Sequence, residues 1–296
     1  MLSFDPDRSP PAPVDAATLI LVRDRGALEV FLIRRSARSP FLGGAVVFPG
    51  GKLDSHDLGV TRTNGLVPET ASARRYAESP ELALALAVCA CRESLEEAGI
   101  LPVTRSIAPA ARESLRRRLV AGEGLDAALA AHHAEVLVDT LSLIPFARWI
   151  TPEAEARRFD ARFFLAAVPT GQEGLVDQHE AVASVWTTPR RMLDAFHRGD
   201  VFLAPPTLRA LELLTEVSKV DAAVDLARRQ SVLPICPRFV PGDPTLLAIP
   251  GDPLHPESEP RVSGGTRFVL RDGRFVSEWP PEQRDEPQRD EPSPSR

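Results

Sequence analysis

The sequence predicts an α+β protein in which the strands of a mixed sheet lie between helices as an α/β/α sandwich. Three features predict this class: two apolar strands joined by a polar turn, a long alanine- and leucine-rich helix, and alternating strand and helix patterns after that helix. The chain has 296 residues, of which 43% are hydrophobic, so it is long enough to bury a sizeable core.

The first predicted elements are a hairpin and a short strand. Residues 17–23 and 28–35 are apolar, and the residues between them, 24–27, read Asp-Arg-Gly-Ala, which is typical of a hairpin turn. Residues 45–48 predict a short buried strand. It runs into the Pro-Gly-Gly sequence of residues 49–51, where the glycines permit a tight turn.

The long helix has clear signals at both ends. Ser79 is a suitable N-cap, and Pro80 suits the first helical position. Residues 82–91 are rich in alanine and leucine, which have high helix propensity. Gly99 is expected to end the helix in the left-handed conformation. The sequence therefore predicts a helix over residues 80–98.

The second half of the chain alternates between helix and strand patterns. Thr188 and Gly199 mark the two ends of one helix, and Asp272-Gly273 is typical of a hairpin turn. The predicted helices are residues 109–121, 125–136, 189–198, 207–217 and 219–229, and the predicted strands are 143–149, 163–168 and 183–187, with the hairpin at 266–275.

We expect one main domain over residues 14–250, with an irregular excursion at residues 55–78. Residues 1–13 are proline-rich and are expected to form a flexible arm. Residues 251–279 are expected to form a C-terminal extension that contains the hairpin. Residues 280–296 are charged and proline-rich, which predicts a disordered tail.

Composition excludes several classes of protein. The net charge of −6 argues against a general nucleic-acid binder, which would carry a basic face. A run of about 18 apolar residues, as a membrane span needs, is not found. The N-terminus lacks an apolar signal core, and the three cysteines, Cys89, Cys91 and Cys236, suggest reduced thiols. We therefore expect a cytoplasmic protein without a membrane partner, and a homodimer remains open.

A patch of carboxylates lies near the end of the long helix. Glu93, Glu96 and Glu97 have i, i+3 and i+4 spacing, so a helix places all three on one face. Like charges one turn apart cost an isolated helix about 0.2–0.5 kcal/mol. A cation such as Mg²⁺ or Mn²⁺ would offset this cost and would also hold substrate phosphates. The alternative is an ordinary solvated helix face.

These residues belong to a larger pattern. Gly51, Asp57 and the sequence Arg-Glu-x-x-Glu-Glu-x-Gly-Ile at residues 92–100 together resemble the Nudix box. Members of this superfamily hydrolyse nucleoside diphosphates linked to another group. The resemblance covers roughly residues 14–250 and implies the Nudix α/β/α sandwich, with added helices in the box insertion and in the C-terminal segment.

The box departs from the family pattern in three ways. Asp57 replaces the usual glutamate, and Ser94 replaces an aliphatic residue. The spacer, residues 58–91, has 34 positions instead of seven, which indicates an insertion at about residues 58–84. A long insertion here resembles the branch of peroxisomal coenzyme A diphosphatases and their bacterial relatives. Further segments resemble that branch: residues 31–36, 41–51, 149–152 and 157–164.

The resemblance implies roles for the residues of the box. Glu93, Glu97 and Glu96 would be metal ligands, Glu96 also a catalytic group, and the backbone carbonyl of Gly50 a further ligand. Arg92 is expected to pair with a glutamate of the box and to fix its rotamer. Asp57 could be structural or an outer-sphere group, or it could be a plain loop residue.

Residues outside the box complete the expected site. Glu180 is our candidate general base, with His179 as its competitor, although no spacing ties either residue to the box. Arg34, Arg35 and Arg38 could bind substrate phosphates, or they could form a basic strand end. The neighbouring pair His132 and His133 is expected to be solvated rather than a metal-binding pair.

The sequence thus favours a metal-dependent diphosphatase that acts on a small nucleotide substrate. Bound divalent ions would neutralise phosphate charge and activate water, so positioning and electrostatics would supply most of the rate. Coenzyme A or acyl-CoA is the substrate that the resemblance implies. ADP-ribose, NADH and dinucleoside polyphosphates are the enzymatic alternatives, and a noncatalytic nucleotide-sensing module is an alternative of another class.

Overall fold

The computed structural model describes residue 5 and residues 9–39, 42–60, 76–103, 105–131, 136–174 and 184–281. In these residues a mixed sheet lies between two layers of helices, so the expected α+β class is confirmed. Among them, no helix is long and apolar enough to cross a bilayer. Cys89, Cys91 and Cys236 are all free thiols.

The strands of the large sheet are β1 (Val14–Asp24), β2 (Leu28–Arg34), β3 (Ala45–Val47), β4 (Gly50–Lys52), β5 (Ile144–Ile150), β6 (Phe159–Ala167), β7 (Ser184–Thr187), β8 (Phe202–Leu203) and β9 (Pro234–Ile235). The sheet is organised around β1, which pairs in parallel with β6 from Val14↔Phe159 to Val22↔Ala167, and antiparallel with β2 on its other side. The strand order is β8-β3-β2-β1-β6-β5-β9, with β4 also paired to β1 and β7 to β2.

Alternating side chains of β1 supply both cores. Leu19 and Leu21 belong to one apolar cluster, whereas Ile20 and Val22 belong to the other. All four side chains are fully buried. This alternation follows from the two-residue period of a strand, and it explains why the segment is almost continuously apolar.

The first helical layer is dominated by the long helix α1 (Pro80–Ala98). The Ser79 side chain accepts a hydrogen bond from the Leu82 amide, and Gly99 follows the helix with a φ of 65°. Both predicted ends are therefore confirmed. The buried alanines of α1 let it pack closely on the sheet. The layer is completed by α2 (Pro109–Val120) and α3 (Leu125–Ala130).

The second layer combines three helices with a small antiparallel sheet. The helices are α4 (Pro189–Arg198), α5 (Pro205–Leu214) and α6 (Val220–Arg229). The small sheet has the order β10-β11-β12-β13, and its strands are β10 (Arg238–Val240), β11 (Leu246–Ala248), β12 (Arg267–Arg271) and β13 (Arg274–Glu278). Its strands come from both sides of the expected domain limit at residue 250.

Several elements differ in length from the expectation. β6 begins at Phe159 instead of residue 163, because its parallel pairing with β1 continues to that point. The helix expected over residues 125–136 ends at Ala130. Strands β4 and β8–β11 have only two or three residues each, too few to show a periodic pattern. The positions of Glu180, His179, His132 and His133 lie outside the described residues.

Candidate active site

The Pro-Gly-Gly turn brings the backbone directly against the carboxylates of α1. Gly50 and Gly51 belong to β4, which pairs with β1 at Thr18 and Ala17. A Cβ atom at Gly50 would lie 2.5 Å from the carbonyl oxygen of Ala17, and one at Gly51 would overlap the Glu93 carboxylate. Gly50 therefore lets the turn lie directly against β1, and Gly51 leaves room for the Glu93 carboxylate in its present rotamer.

Glu97 and Glu93 are the two carboxylates at this turn. The Gly50 amide donates a hydrogen bond to the Glu97 carboxylate over 2.9 Å. The pKa of Glu97 is raised to about 8, mainly by burial and in part by the negative charge of Glu93, against the opposing effect of the Gly50 amide. Burial also raises the pKa of Glu93. Burial therefore makes both carboxylates harder to ionise than an exposed glutamate.

Arg92 holds the two halves of the box together. Its guanidinium makes a bidentate pair with Asp57, with Nε–Oδ1 and Nη2–Oδ2 distances of 2.7 and 2.9 Å. Its Nη1 donates to Glu93 over 2.8 Å and to Glu96 over 3.2 Å. The expected contact between Arg92 and a glutamate of the box is thus present. Asp57 is 1% exposed, so the structure favours its structural role over that of a loop residue.

A cavity of about 830 Å³ lies beside the glycine turn. Its carboxylate part comprises Gly50, Gly51, Glu93 and Glu97. Glu96 is not part of the lining, because its side chain turns towards Arg92. Of the predicted metal ligands, the structure therefore brings Glu93, Glu97 and the Gly50 backbone to the cavity and leaves Glu96 beside it.

The three predicted phosphate-binding arginines have different positions. Arg35 lines the cavity, and its Nη2 donates to Ser39 Oγ over 3.1 Å. Its buried Nε has no acceptor within hydrogen-bond distance among the described residues, and its charge acts to lower the pKa of Glu97. Arg34 and Arg38 are exposed and lie outside the lining. Of these three arginines, only Arg35 is therefore placed to contact a substrate in the cavity.

Three further basic residues line the cavity, and sequence reasoning did not assign them to the site: Lys52, Arg157 and Arg158. Arg158 is nearly buried and donates to the carbonyl oxygens of Thr151 and Pro11, over 3.0 and 2.9 Å. It thereby holds part of the expected N-terminal arm against the cavity. The only sequence signal for Arg157 and Arg158 was their place in a segment that resembles the family.

The donor groups at the turn suit a hard divalent cation. In the described part of the chain, no three aspartate, glutamate, histidine or cysteine side chains converge into a complete metal site. Mg²⁺, however, is usually bound by one or two carboxylates together with water and substrate phosphates. Glu93 and Glu97 supply such a pair, and a cation beside them would favour their ionised forms, which burial disfavours. The residues present therefore fit a divalent ion that the substrate helps to bind.

Comparisons with known proteins agree with this geometry. Residues 68–214 match a family model described as the NUDT19 Nudix domain. The crystal structure of a Nudix hydrolase from Alicyclobacillus acidocaldarius is 30% identical, with a TM-score of 0.61, and the match covers 72% of this chain and 96% of that one. The chain belongs to the Nudix hydrolases. The resemblance seen in the interrupted box is thereby confirmed, and so is the Nudix sandwich.

Curated relatives lie in the same part of the Nudix superfamily. The acyl-coenzyme A diphosphatase NUDT19 of Gallus gallus is 27% identical over 300 residues, which cover 84% of this chain and 78% of that protein. The Homo sapiens protein of the same name is 26% identical, and the match covers 85% of this chain and 75% of that protein. As an enzyme, this chain is therefore a Nudix pyrophosphohydrolase.

Proposed function

We propose that this Nudix hydrolase cleaves the phosphoanhydride bond of coenzyme A or of an acyl-CoA. The observation that carries the proposal is the pair Glu93 and Glu97, held against the Gly50-Gly51 turn in a cavity of about 830 Å³. The substrate choice is supported by the relatives named acyl-coenzyme A diphosphatase. ADP-ribose, NADH and dinucleoside polyphosphates are the alternatives that the same chemistry would admit.

Glu93 and Glu97 would hold Mg²⁺ or Mn²⁺, which when bound neutralises phosphate charge and acidifies water. Arg92 keeps Glu93 in its rotamer through the 2.8 Å hydrogen bond, so the carboxylate is positioned before the substrate arrives. Arg35 lines the same cavity, and its guanidinium suits a phosphate oxygen.

The proposed reaction is an attack of water on one phosphorus atom of the diphosphate. The phosphoanhydride P–O bond breaks, and each half leaves with one phosphate. Coenzyme A would give adenosine 3′,5′-bisphosphate and 4′-phosphopantetheine. Glu180 stays our candidate for the general base, and the Gly50 carbonyl and Glu96 stay candidates for further metal ligands.

A substrate panel tests the proposal. Purified enzyme is incubated with Mg²⁺ or Mn²⁺ and with coenzyme A, an acyl-CoA, ADP-ribose, NADH or a diadenosine polyphosphate, and the products are identified by mass spectrometry. We expect the highest kcat/KM for coenzyme A or the acyl-CoA, together with the two products named above. A higher kcat/KM for ADP-ribose or another nucleotide would reject the substrate assignment. Nucleotide binding without turnover under either ion would favour a sensor.

The proposal also includes a cytoplasmic location, which the three free thiols support. Thiol labelling of the protein, isolated from cell fractions and then denatured, would test the location and the free thiols together. Full labelling of the denatured protein in the cytoplasmic fraction is expected, whereas disulfide-linked protein in another fraction would contradict it.

A further inference from the structure

The cavity extends well beyond its carboxylate part. Its remaining wall is mostly aliphatic and aromatic, and strands β5 and β6, the start of α5 and strand β11 supply part of it. We call six of these residues the apolar wall: Trp149, Ile150, Phe159, Phe163, Pro205 and Leu247.

Two residues of the apolar wall, Trp149 and Leu247, are positioned by Phe268 of β12. The rings of Trp149 and Phe268 meet edge to face, with centroids 6.1 Å apart. Leu247 pairs with Phe268 across β11 and β12. The small sheet therefore positions Leu247 directly and supports Trp149 through the ring of Phe268. Arg157 and Arg158 line the cavity next to Phe159, and Arg158 already donates to the carbonyl oxygens of Pro11 and Thr151. The wall is therefore a preformed apolar surface.

The two halves of a coenzyme A substrate differ in how well they suit such a surface. The nucleoside half carries a base, a ribose and an additional phosphate, all of which need polar partners when they leave water. The acyl-pantetheine half ends in a hydrocarbon chain, and its transfer to an apolar surface is favourable for every methylene that is buried. The position of the wall beside the carboxylate pair allows one substrate to contact both.

We infer that the apolar wall binds the acyl-pantetheine half of the substrate and determines the preference for acyl-CoA over nucleotides without an apolar arm. This inference rests on the proposed function and assigns the selectivity of that same site. The small C-terminal sheet then acts in substrate selection, because β11 supplies Leu247 and β12 supports Trp149. The proposed metal ligands, Glu93 and Glu97, are not part of the wall.

Two isoleucines of the same strand offer a matched test. Ile150, at the end of β5, lines the cavity, whereas Ile144, at its start, lies outside the cavity and packs against the core. Both are partly buried. The variants Ile150→Gln and Ile144→Gln therefore make the same chemical change inside and outside the proposed site. Ile150→Val removes one methylene, keeps an apolar side chain and tests the same position if Ile150→Gln unfolds.

The measurement is kcat/KM for a long-chain acyl-CoA and for ADP-ribose, with the melting temperature of each variant as a check on folding. Ile150→Gln is expected to lower kcat/KM for the acyl-CoA about tenfold and to leave that for ADP-ribose within twofold, since one methylene in an apolar pocket already discriminates about tenfold or more. Ile150→Val should change the ratio in the same direction by less. Ile144→Gln should leave the ratio of the two values unchanged.

A second readout separates binding from chemistry. Inhibition by the two product halves is measured with the wild type and with Ile150→Gln. The inhibition constant of an acyl-phosphopantetheine should rise in the variant, and that of adenosine 3′,5′-bisphosphate should not. Equal effects on both halves, or an unchanged acyl-CoA to ADP-ribose ratio in a folded Ile150→Gln enzyme, would overturn the inference. A wild type that accepts ADP-ribose but no CoA thioester would overturn the proposed function itself, which the wild-type data alone reveal.

Discussion

The carboxylate part and the apolar wall of the cavity are built in opposite ways. The carboxylate part uses two short segments, the glycine turn and one helix face, whose side chains are placed by local backbone geometry. The apolar wall gathers six residues from four separate elements, and only the tertiary fold brings them together. The difference teaches that the spacing of the two carboxylates along their helix is encoded locally, whereas the apolar wall is encoded by packing.

The largest effect is expected in the carboxylate part. Glu97→Gln removes the charge of one proposed metal ligand, and we expect kcat to fall about 10³-fold, as is typical when a group that stabilises transition-state charge is lost. Glu81→Gln is the matched control, because Glu81 lies exposed in the first turn of the same helix. Steady-state kinetics with Mg²⁺ check the prediction. A Glu97→Gln enzyme as active as the control would separate the carboxylate pair from catalysis.

A smaller effect is expected where the two halves of the box are joined. Asp57→Asn removes the charged partner of the bidentate pair, whereas Glu93 and Glu96 still contact Arg92. We therefore expect a loss of about 3 kcal/mol of unfolding free energy, the lower end of the range for breaking a buried ion pair. Asp194→Asn, at an exposed position of α4, should change stability by less than about 0.5 kcal/mol. Urea denaturation measures both. A loss no greater than that of the control would show that the pair does not stabilise the fold.

The smallest of these effects concerns Arg35, a basic residue that lines the same cavity. Arg35→Gln removes a charged donor that faces the cavity, and a lost charge-assisted hydrogen bond of about 1.5–3 kcal/mol corresponds to roughly 10–100-fold in kcat/KM. Arg34→Gln provides the adjacent control, since Arg34 is exposed outside the cavity. We expect the Arg35 effect mainly in KM. Equal values for the two variants would remove Arg35 from the substrate site.

Local signals explain which parts of the site the sequence could predict. Glu93 and Glu97 could be placed on one face because helical spacing fixes their relation, and the cap signals at Ser79 and Gly99 fix the helix itself. The contact of Arg92 with a glutamate of the box could also be predicted from short sequence separation, because Glu93 is adjacent to Arg92 and Glu96 lies one helical turn away. These relations need no knowledge of the rest of the fold.

Long-range packing explains what the sequence could not predict. Arg34, Arg35 and Arg38 look alike along the chain, and only the sheet decides that Arg35 alone of them lines the cavity. Leu247 lies in a three-residue strand without a periodic pattern, and Trp149 and Phe159, which line the same cavity, lie far earlier in the chain. Apolar residues of this kind resemble any core residue until the fold is known.

The ion pair between Asp57 and Arg92 has a consequence for engineering. The pair fixes residue 57 against the helix that carries Glu93 and Glu97, and the first part of the spacer precedes that helix. Lengthening a connection twofold costs only about 0.6 kcal/mol in closure entropy when the added residues are flexible. A fluorescent reporter inserted through flexible linkers between residues 60 and 76 is therefore expected to leave the two carboxylates in place.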